Sequence, residues 1–317
     1  MTNRRHFLRN ASLMTVAGVL AANNKLSAAT ESALSKSNVK KDFGLQIYSL
    51  GRELAPDVAG GLRRVAQMGY TSIELAGYNA AEGRIGAVTM AEFKKFADDA
   101  GLKITSTHVN PPMREYNRDN FEQAKEFWKR ASDHHAAIGC KYIIQPGQPV
   151  TRSVEEVAFV GEVFNEAGKI AKAAGITFGF HNHEGEFQRV VPGGTEMLPL
   201  GRGRAPQGAK MIYDGMMEAT DPELVVYELD VYWAVFGQQD PVALMKKYPN
   251  RIRLLHIKDV AVLGESGMMN FQKIFETGYA NGIEDFIVEF EPNFAGGTLF
   301  EGVKLCADYL LNANFVK

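Results

Sequence analysis

The sequence predicts an α/β fold, a (β/α)8 barrel built as a single domain. Three observations carry it. A helix–glycine–strand unit recurs along the chain, eight short β-rich runs alternate with amphipathic helical patterns, and ionisable residues gather at the C-terminal ends of those runs. A chain of 317 residues is long enough for one large barrel and its covering helices.

The recurring unit appears first where Gln67-Met68-Gly69-Tyr70 leads into Ser72–Leu75, then where Asp99-Ala100-Gly101-Leu102 leads into Ile104–Val109. Ala137-Ile138-Gly139-Cys140 precedes Tyr142–Gln145, and Ala173-Ala174-Gly175-Ile176 precedes Thr177–His183. These glycines stand 32, 38 and 36 residues apart, one βα unit each time. Glycine just past a helix supplies the left-handed residue that ends it. Asn281-Gly282-Ile283 before Phe286–Glu291 is a fifth case, and Phe43–Tyr48, Val225–Asp230 and Ile252–Ile257 complete eight strands. The intervening helices are amphipathic: Phe93, Phe96, Ala97 and Ala100 fall three and four apart, as do Phe159, Val163, Phe164, Ala167, Ile170, Ala171 and Ala174. The competing fold, a doubly wound open sheet, would place a glycine-rich phosphate loop after the first strand, and none is there. Glu186–Ala209, rich in Gly, Pro and Arg, reads as a long loop over the barrel mouth.

Composition excludes several functions. With 45% hydrophobic and 23% charged residues the chain is neither disordered nor fibrous. The net charge of −2 hides an asymmetry: residues 1–29 carry Arg4, Arg5, Arg9 and Lys25 and no acid, so the remainder is near −6. An acidic body lacks the basic stripe of a nucleic-acid binder. Cys140 and Cys306 read as small core residues, with no metal-finger or redox spacing.

The N-terminus reads as an address. Arg4-Arg5-His6-Phe7-Leu8 is followed by an uncharged run from Ala11 to Ala22 and the small residues Ser27-Ala28-Ala29. Residues 1–29 therefore resemble a twin-arginine export signal, residues 30–41 a linker, and residues 42–317 the barrel. The expectation is a periplasmic or otherwise exported protein without stable membrane insertion once the signal is removed.

In a barrel of this kind the C-terminal strand ends build the active site. Here they carry Gln46 and Tyr48, Glu74, His108, Gln145, His181, His183, Glu184 and Glu186, Asp230, His256, Lys258 and Asp259, and Glu289 and Glu291. Alternation puts His181 with His183, His256 with Lys258, and Glu289 with Glu291 on common faces. Buried carboxylates and imidazoles cost several kcal/mol unless paired or bound to metal. An open oxygen and nitrogen donor set suits Mn²⁺, Zn²⁺, Co²⁺ or Fe²⁺. The competing readings are a hydrogen-bonded surface histidine for His108, a helix cap for Asp230, an ion pair for Lys258-Asp259, and mouth packing for Trp233 and Phe236.

Gly44-Leu45-Gln46-Ile47-Tyr48-Ser49-Leu50, Gly69–Leu75, His181-Asn182-His183-Glu184-Gly185-Glu186-Phe187, Leu229–Trp233, Leu255-His256-Ile257-Lys258-Asp259 and Ile287-Val288-Glu289 together resemble the xylose isomerase-like barrels of the sugar phosphate isomerase/epimerase family, over about residues 42–312. The resemblance implies one divalent metal held from strands five to eight, by Asp230, His256, Glu289 and a strand-five residue. Many relatives place glutamate where this chain has His181. His181 is favoured as ligand and His183 as base, with Glu184 and Glu186 the alternatives. The His-x-His run is similar to an exported branch acting on 3-keto-glycosides, and to inosose dehydratases.

The expected activity is proton abstraction next to a sugar carbonyl by a metal-dependent enzyme. His183 or Glu289 takes the proton and Lys258 neutralises oxyanion charge. Gln46, Glu74, His108, Glu186 and Trp233 are the candidate contacts to a small carbohydrate. Elimination from a 3-keto-glycoside, isomerisation or epimerisation of a free ketose, and a non-catalytic sugar-binding barrel are the three competing functions.

Overall fold

A closed barrel of eight parallel strands forms the centre of the computed structural model, which describes residues 41–201, 205–291 and 297–317. The expected export signal, and all of the expected linker except Lys41, lie outside the described residues. The barrel strands are β1 (Gly44–Gln46), β2 (Ser72–Leu75), β3 (Lys103–His108), β4 (Tyr142–Gln145), β5 (Thr177–His181), β6 (Val225–Asp230), β7 (Ile252–Ile257) and β8 (Asp285–Val288). They pair in chain order, and β8 closes onto β1 through Gly44 opposite Ile287 and Leu45 opposite Val288.

Eight strands are thus where the sequence places them, with shifted ends. β1 stops at Gln46, β5 at His181 and β8 at Val288, each two or three residues short of the predicted end. At these points the chain leaves the sheet to turn over the rim. The β1 end becomes a 3-10 turn, Ile47–Leu50, whose first N–H donors are met by Gln46 Oε1 accepting from Tyr48 N. Glu289 lies beyond β8, although its N–H still donates to Ile257 O at 3.2 Å.

Around the barrel pack α1 (Val58–Gln67), α2 (Met90–Ala100), α3 (Phe121–Ala136), α4 (Val154–Ala173), α5 (Ile212–Ala219), α6 (Val231–Phe236), α7 (Pro241–Lys247), α8 (Phe271–Ala280) and α9 (Leu299–Asn312). Capping boxes open α2 (Thr89 with Glu92) and α9 (Thr298 with Glu301). The five helix-ending glycines of the sequence pattern all take positive φ, from 73° at Gly139 and Gly282 to 105° at Gly69. The main apolar core lies between strands and helices, where Trp128, Phe164, Phe178 and Phe180 meet edge to face or tilted. Cys140 and Cys306 are buried free thiols. The segment after β5 opens with a 3-10 turn at Gly185–Phe187 and pairs Arg189–Val190 antiparallel with Lys210–Met211. Among the described residues no helix is long and apolar enough to cross a membrane.

The barrel interior changes character along its axis. Alternation sends every second side chain inward, and on most strands the inward series runs from small or apolar to ionisable. It reads Val226, Glu228, Asp230 on β6; Leu254, His256, Lys258 on and just past β7; Ile287, Glu289 on and past β8; and Gly179, His181 on β5. Tyr142, Ile144, Leu254 and Ile287 close the lower interior as a small separate cluster, with Val226 against it. A Cβ on Gly179 would lie 2.6 Å from Ile144 Cδ1 and 3.1 Å from Val226 O, so any larger residue there would force the plug to shift.

Candidate active site

The upper interior brings together residues from all strands except β4. His181, Asp230, His256 and Glu289 each offer one donor atom, and these atoms all lie within 4.8 Å of one another. All four are buried. Asp230 is the N-cap of α6: Oδ1 accepts from Trp233 N at 2.8 Å, which fixes the carboxylate at the strand-to-helix turn. Its backbone N–H donates to Asn182 Oδ1 at 3.1 Å, bracing β6 against the end of β5. Asp230 Oδ2 is left buried without a partner. Burial pushes this carboxyl up to about 7, so the position takes either a proton or a cation.

His256 Nδ1 lies 3.1 Å from Glu289 Oε2 and 3.8 Å from Asp230 Oδ2. Burial disfavours an ionised Glu289, but His256 and Lys258 outweigh it and hold the carboxyl well below its usual range. Lys258 has no exposed surface; its Nζ sits 2.8 Å from Glu291 Oε1 and 3.7 Å from Glu289 Oε2. It also lies 5.7 Å from the Trp233 ring centroid and 5.9 Å from that of Tyr232. The four donors are oxygen and nitrogen, they come from neighbouring strands, and one oxygen is orphaned among them. A divalent cation of the Mn²⁺, Zn²⁺, Co²⁺ or Fe²⁺ type fits this set.

Gln46, Glu74 and His108 are joined to each other and to the donor set. Gln46 Nε2 donates to Glu74 Oε2 at 2.7 Å, and Glu74 Oε2 is 2.6 Å from His256 Nε2. His108 Nε2 lies 3.2 Å from Glu74 and 2.8 Å from Glu228. The ring centroids of His108, His181 and His256 stand 4.5, 4.8 and 5.1 Å apart. Burial lowers the imidazoles, yet the carboxylates of Glu74 and Glu228 raise His108 and His256 above the ordinary value. Glu228, absent from the sequence-based candidates, is the residue that alternation would have found: it stands two before Asp230 on the same face. Asn182 was also passed over, and nothing in its own residue type marks it.

His183 is half-buried at the top of this assembly, its ring 5.0 Å from His181 and 5.5 Å from Trp233. Burial, only partly offset by Glu289, lowers its pKa, so it is a neutral imidazole at neutral pH. The backbone N–H of His183 donates to Glu186 Oε2 at 2.9 Å. Glu186 is completely buried, with Oε1 unpartnered and the carboxyl pushed up to about 8 by burial. It is a protonated brace under the His183 loop at pH 7, and Glu184 remains half-buried beside it. From Trp233 the aromatic wall continues outward to Phe236 at 5.6 Å, which is 53% exposed.

The profile described as xylose isomerase-like TIM barrel matches residues 62–301. A sugar phosphate isomerase/epimerase from Parabacteroides distasonis superposes with a TM-score of 0.82 and 46% identity, over 89% of this chain and 98% of that one. An inosose dehydratase from Geobacillus kaustophilus is 23% identical over 254 residues, 74% of this chain and 73% of its own length. One from Clostridium tetani is 28% identical over 144 residues, 44% of this chain and 42% of its own length. The fold is also that of a 3-keto-D-glucoside 4-epimerase from E. coli, with a TM-score of 0.62 at 14% identity, over 86% of this chain and 97% of that one.

Proposed function

The chain belongs to the xylose isomerase-like TIM barrel family, and from that premise we propose that it is a divalent-metal-dependent lyase acting on a sugar that bears a ketone, in particular a 3-keto-glycoside. One observation carries the reading. His183, a neutral imidazole, stands at the mouth beside the four-donor set, and strand five offers no glutamate to mirror Glu289. Abstraction and return of a proton on opposite faces wants two matched groups. This site has one imidazole and one strongly ionised carboxylate.

A divalent cation held by His181, Asp230, His256 and Glu289 supplies Lewis acidity toward a carbonyl oxygen and its neighbouring hydroxyl. The chain's own groups do the rest. A ring nitrogen of His183 takes the C2 proton, acidified by the adjoining ketone. The C–H electron pair forms the C1–C2 double bond, and the C1–O pair leaves with the aglycone oxygen. The His183 imidazolium returns its proton to that oxygen. His256 and, to a lesser degree, Lys258 keep Glu289 anionic, and Trp233 with Phe236 offers a stacking face toward the aglycone.

A second reading, epimerisation or isomerisation of a free ketose, draws support from the Parabacteroides relative named sugar phosphate isomerase/epimerase. Product analysis in D₂O decides between them. The lyase releases the aglycone from a 3-keto-glycoside, and His183→Ala slows release by about 10²–10⁴. An intact glycoside, with a ketose that exchanges deuterium and inverts, would establish the second reading instead. Export is proposed from the sequence alone: lysine at both Arg4 and Arg5 is expected to leave precursor in the cytoplasm, and normal export of that variant refutes a twin-arginine route.

A further inference from the structure

Beneath the donor set lies a layer that the proposed reaction does not use. Glu74 and Glu228 are buried there against the undersides of His181 and His256, with the His108 side chain about one-tenth exposed. A neutral imidazole carries one N–H and one lone pair, and an ionised carboxylate only accepts. A ring nitrogen held at hydrogen-bond distance from an ionised carboxylate therefore carries an N–H.

His256 Nε2 is 2.6 Å from Glu74 Oε2 and 3.4 Å from Glu228 Oε2, so Nε2 carries a proton that points at Glu74, and Nδ1 is the ring nitrogen that can exchange its own proton for a cation. Nδ1 is the atom that faces Glu289 and Asp230. His181 Nδ1 is 3.2 Å from Glu228 Oε2, so its proton is on Nδ1 and its lone pair on Nε2. His108 Nε2 bridges the same two carboxylate oxygens, and Gln46 Nε2 ties down Glu74. His256 Nε2 and His181 Nδ1 each donate to a carboxylate of this layer, and the other nitrogen of each ring is left for the upper set.

We infer that Glu74 and Glu228 are positioning residues for the cation: they lock His256 and His181 in the tautomers that present Nδ1 and Nε2 as ligands, with His108 clamping the two carboxylates. This rests on the cation site proposed above. A different occupant of the same layer is a second cation, since His108, His181, Glu228 and His256 also bring donor atoms within 4.8 Å of one another. Two cations would require His181 and His256 to give up both ring protons. One cation over a proton-donating floor needs no such loss.

The test is Mn²⁺ and Co²⁺ binding to the full chain by competition with a chromophoric chelator, alongside melting of the metal-free protein. The variants are Glu74→Gln and Glu228→Gln, which keep shape and remove charge. Wild type is expected to bind about one cation per chain. Each variant should bind roughly ten- to a hundredfold more weakly, the usual cost of losing a partner behind a ligand histidine, while metal-free melting stays level or rises. Co²⁺ absorption should shift in both variants, because the ligand rings are no longer held. Unchanged affinity in a folded variant overturns the inference while the cation site stands. Two cations in wild type, with one lost in His108→Gln, overturn it in favour of a second site. No cation in wild type removes the proposed cation and this inference together. The two carboxylates are tested separately, so if one variant does not fold the other decides.

Discussion

The lower and upper halves of the barrel interior are equally dry and chemically opposite. Ile144, Leu254 and Ile287 below are no more than 1% exposed, and Glu228, Asp230 and His256 above are fully buried. Two residues along one strand separate the two regimes, Leu254 from His256 and Val226 from Glu228. Burial therefore does not by itself identify core in this molecule. Below, side chains are there because their removal from water stabilises the fold. Above, each ionisable group costs several kcal/mol to bury, and the cost is tolerated only where a partner is present. The partners run out at Asp230 Oδ2, Glu74 Oε1 and Glu228 Oε1, all buried and unpaired.

The comparison breaks if function and stability fail to separate along this axis. The largest expected effect is on activity. Asp230→Ala should remove the cation and lower turnover by about 10³ or more, given the several kcal/mol a Lewis acid contributes. Its stability should fall by no more than about 0.5–2 kcal/mol, the cost of a lost helix cap, because a buried carboxyl titrating near 7 is otherwise no asset to the fold. Elemental analysis with thermal melting checks both. Leu254→Ala, two residues below His256, should do the reverse: a loss of about 2–5 kcal/mol in denaturant unfolding, with cation content kept.

Histidine sharpens the same contrast at smaller scale. His256 and His135 are both fully buried, yet their shifts are opposite. Glu228 and Glu74 raise His256, whereas His135 on α3, hydrogen-bonded to Ala131 O and Thr107 Oγ1 and facing no carboxylate among these partners, is pushed down to about 4 by burial. A folded pKa below the unfolded value of about 6.5 means the unfolded chain binds the proton more readily. This contribution is complete above about pH 6.5 and is lost as pH falls toward 4, up to about 3 kcal/mol. Urea titrations at pH 7 and pH 4.5 should show the loss, and His135→Gln should flatten it. An equal pH slope in that variant would assign the acid limb elsewhere.

The strands and helix ends were legible because they are local. Gly69, Gly101, Gly139, Gly175 and Gly282 mark helix ends through a single backbone angle, and the β-rich runs declare themselves by composition. The proposed ligand set was also within reach, since Asp230, His256 and Glu289 each close a strand and the family resemblance points to them. Strand ends were less legible at β5 and β8. His183 and Glu291 continue the alternation but sit where the chain already turns away from the sheet.

By itself, then, the sequence determined a barrel and which inward series become ionisable toward the mouth, because strand period and helix caps depend on neighbours a few residues apart. The tertiary structure alone decided what those groups do to one another. His256 meets Glu74 across 182 residues of sequence and His108 meets Glu228 across 120. Such encounters depend on closure of β8 onto β1, on the stagger between strands and on the rotamers the packing allows. Gln46, Glu74 and His108 read from the sequence as hands for a sugar. The closed barrel turns them inward onto the histidines, and only there does it matter which ring nitrogen keeps its proton.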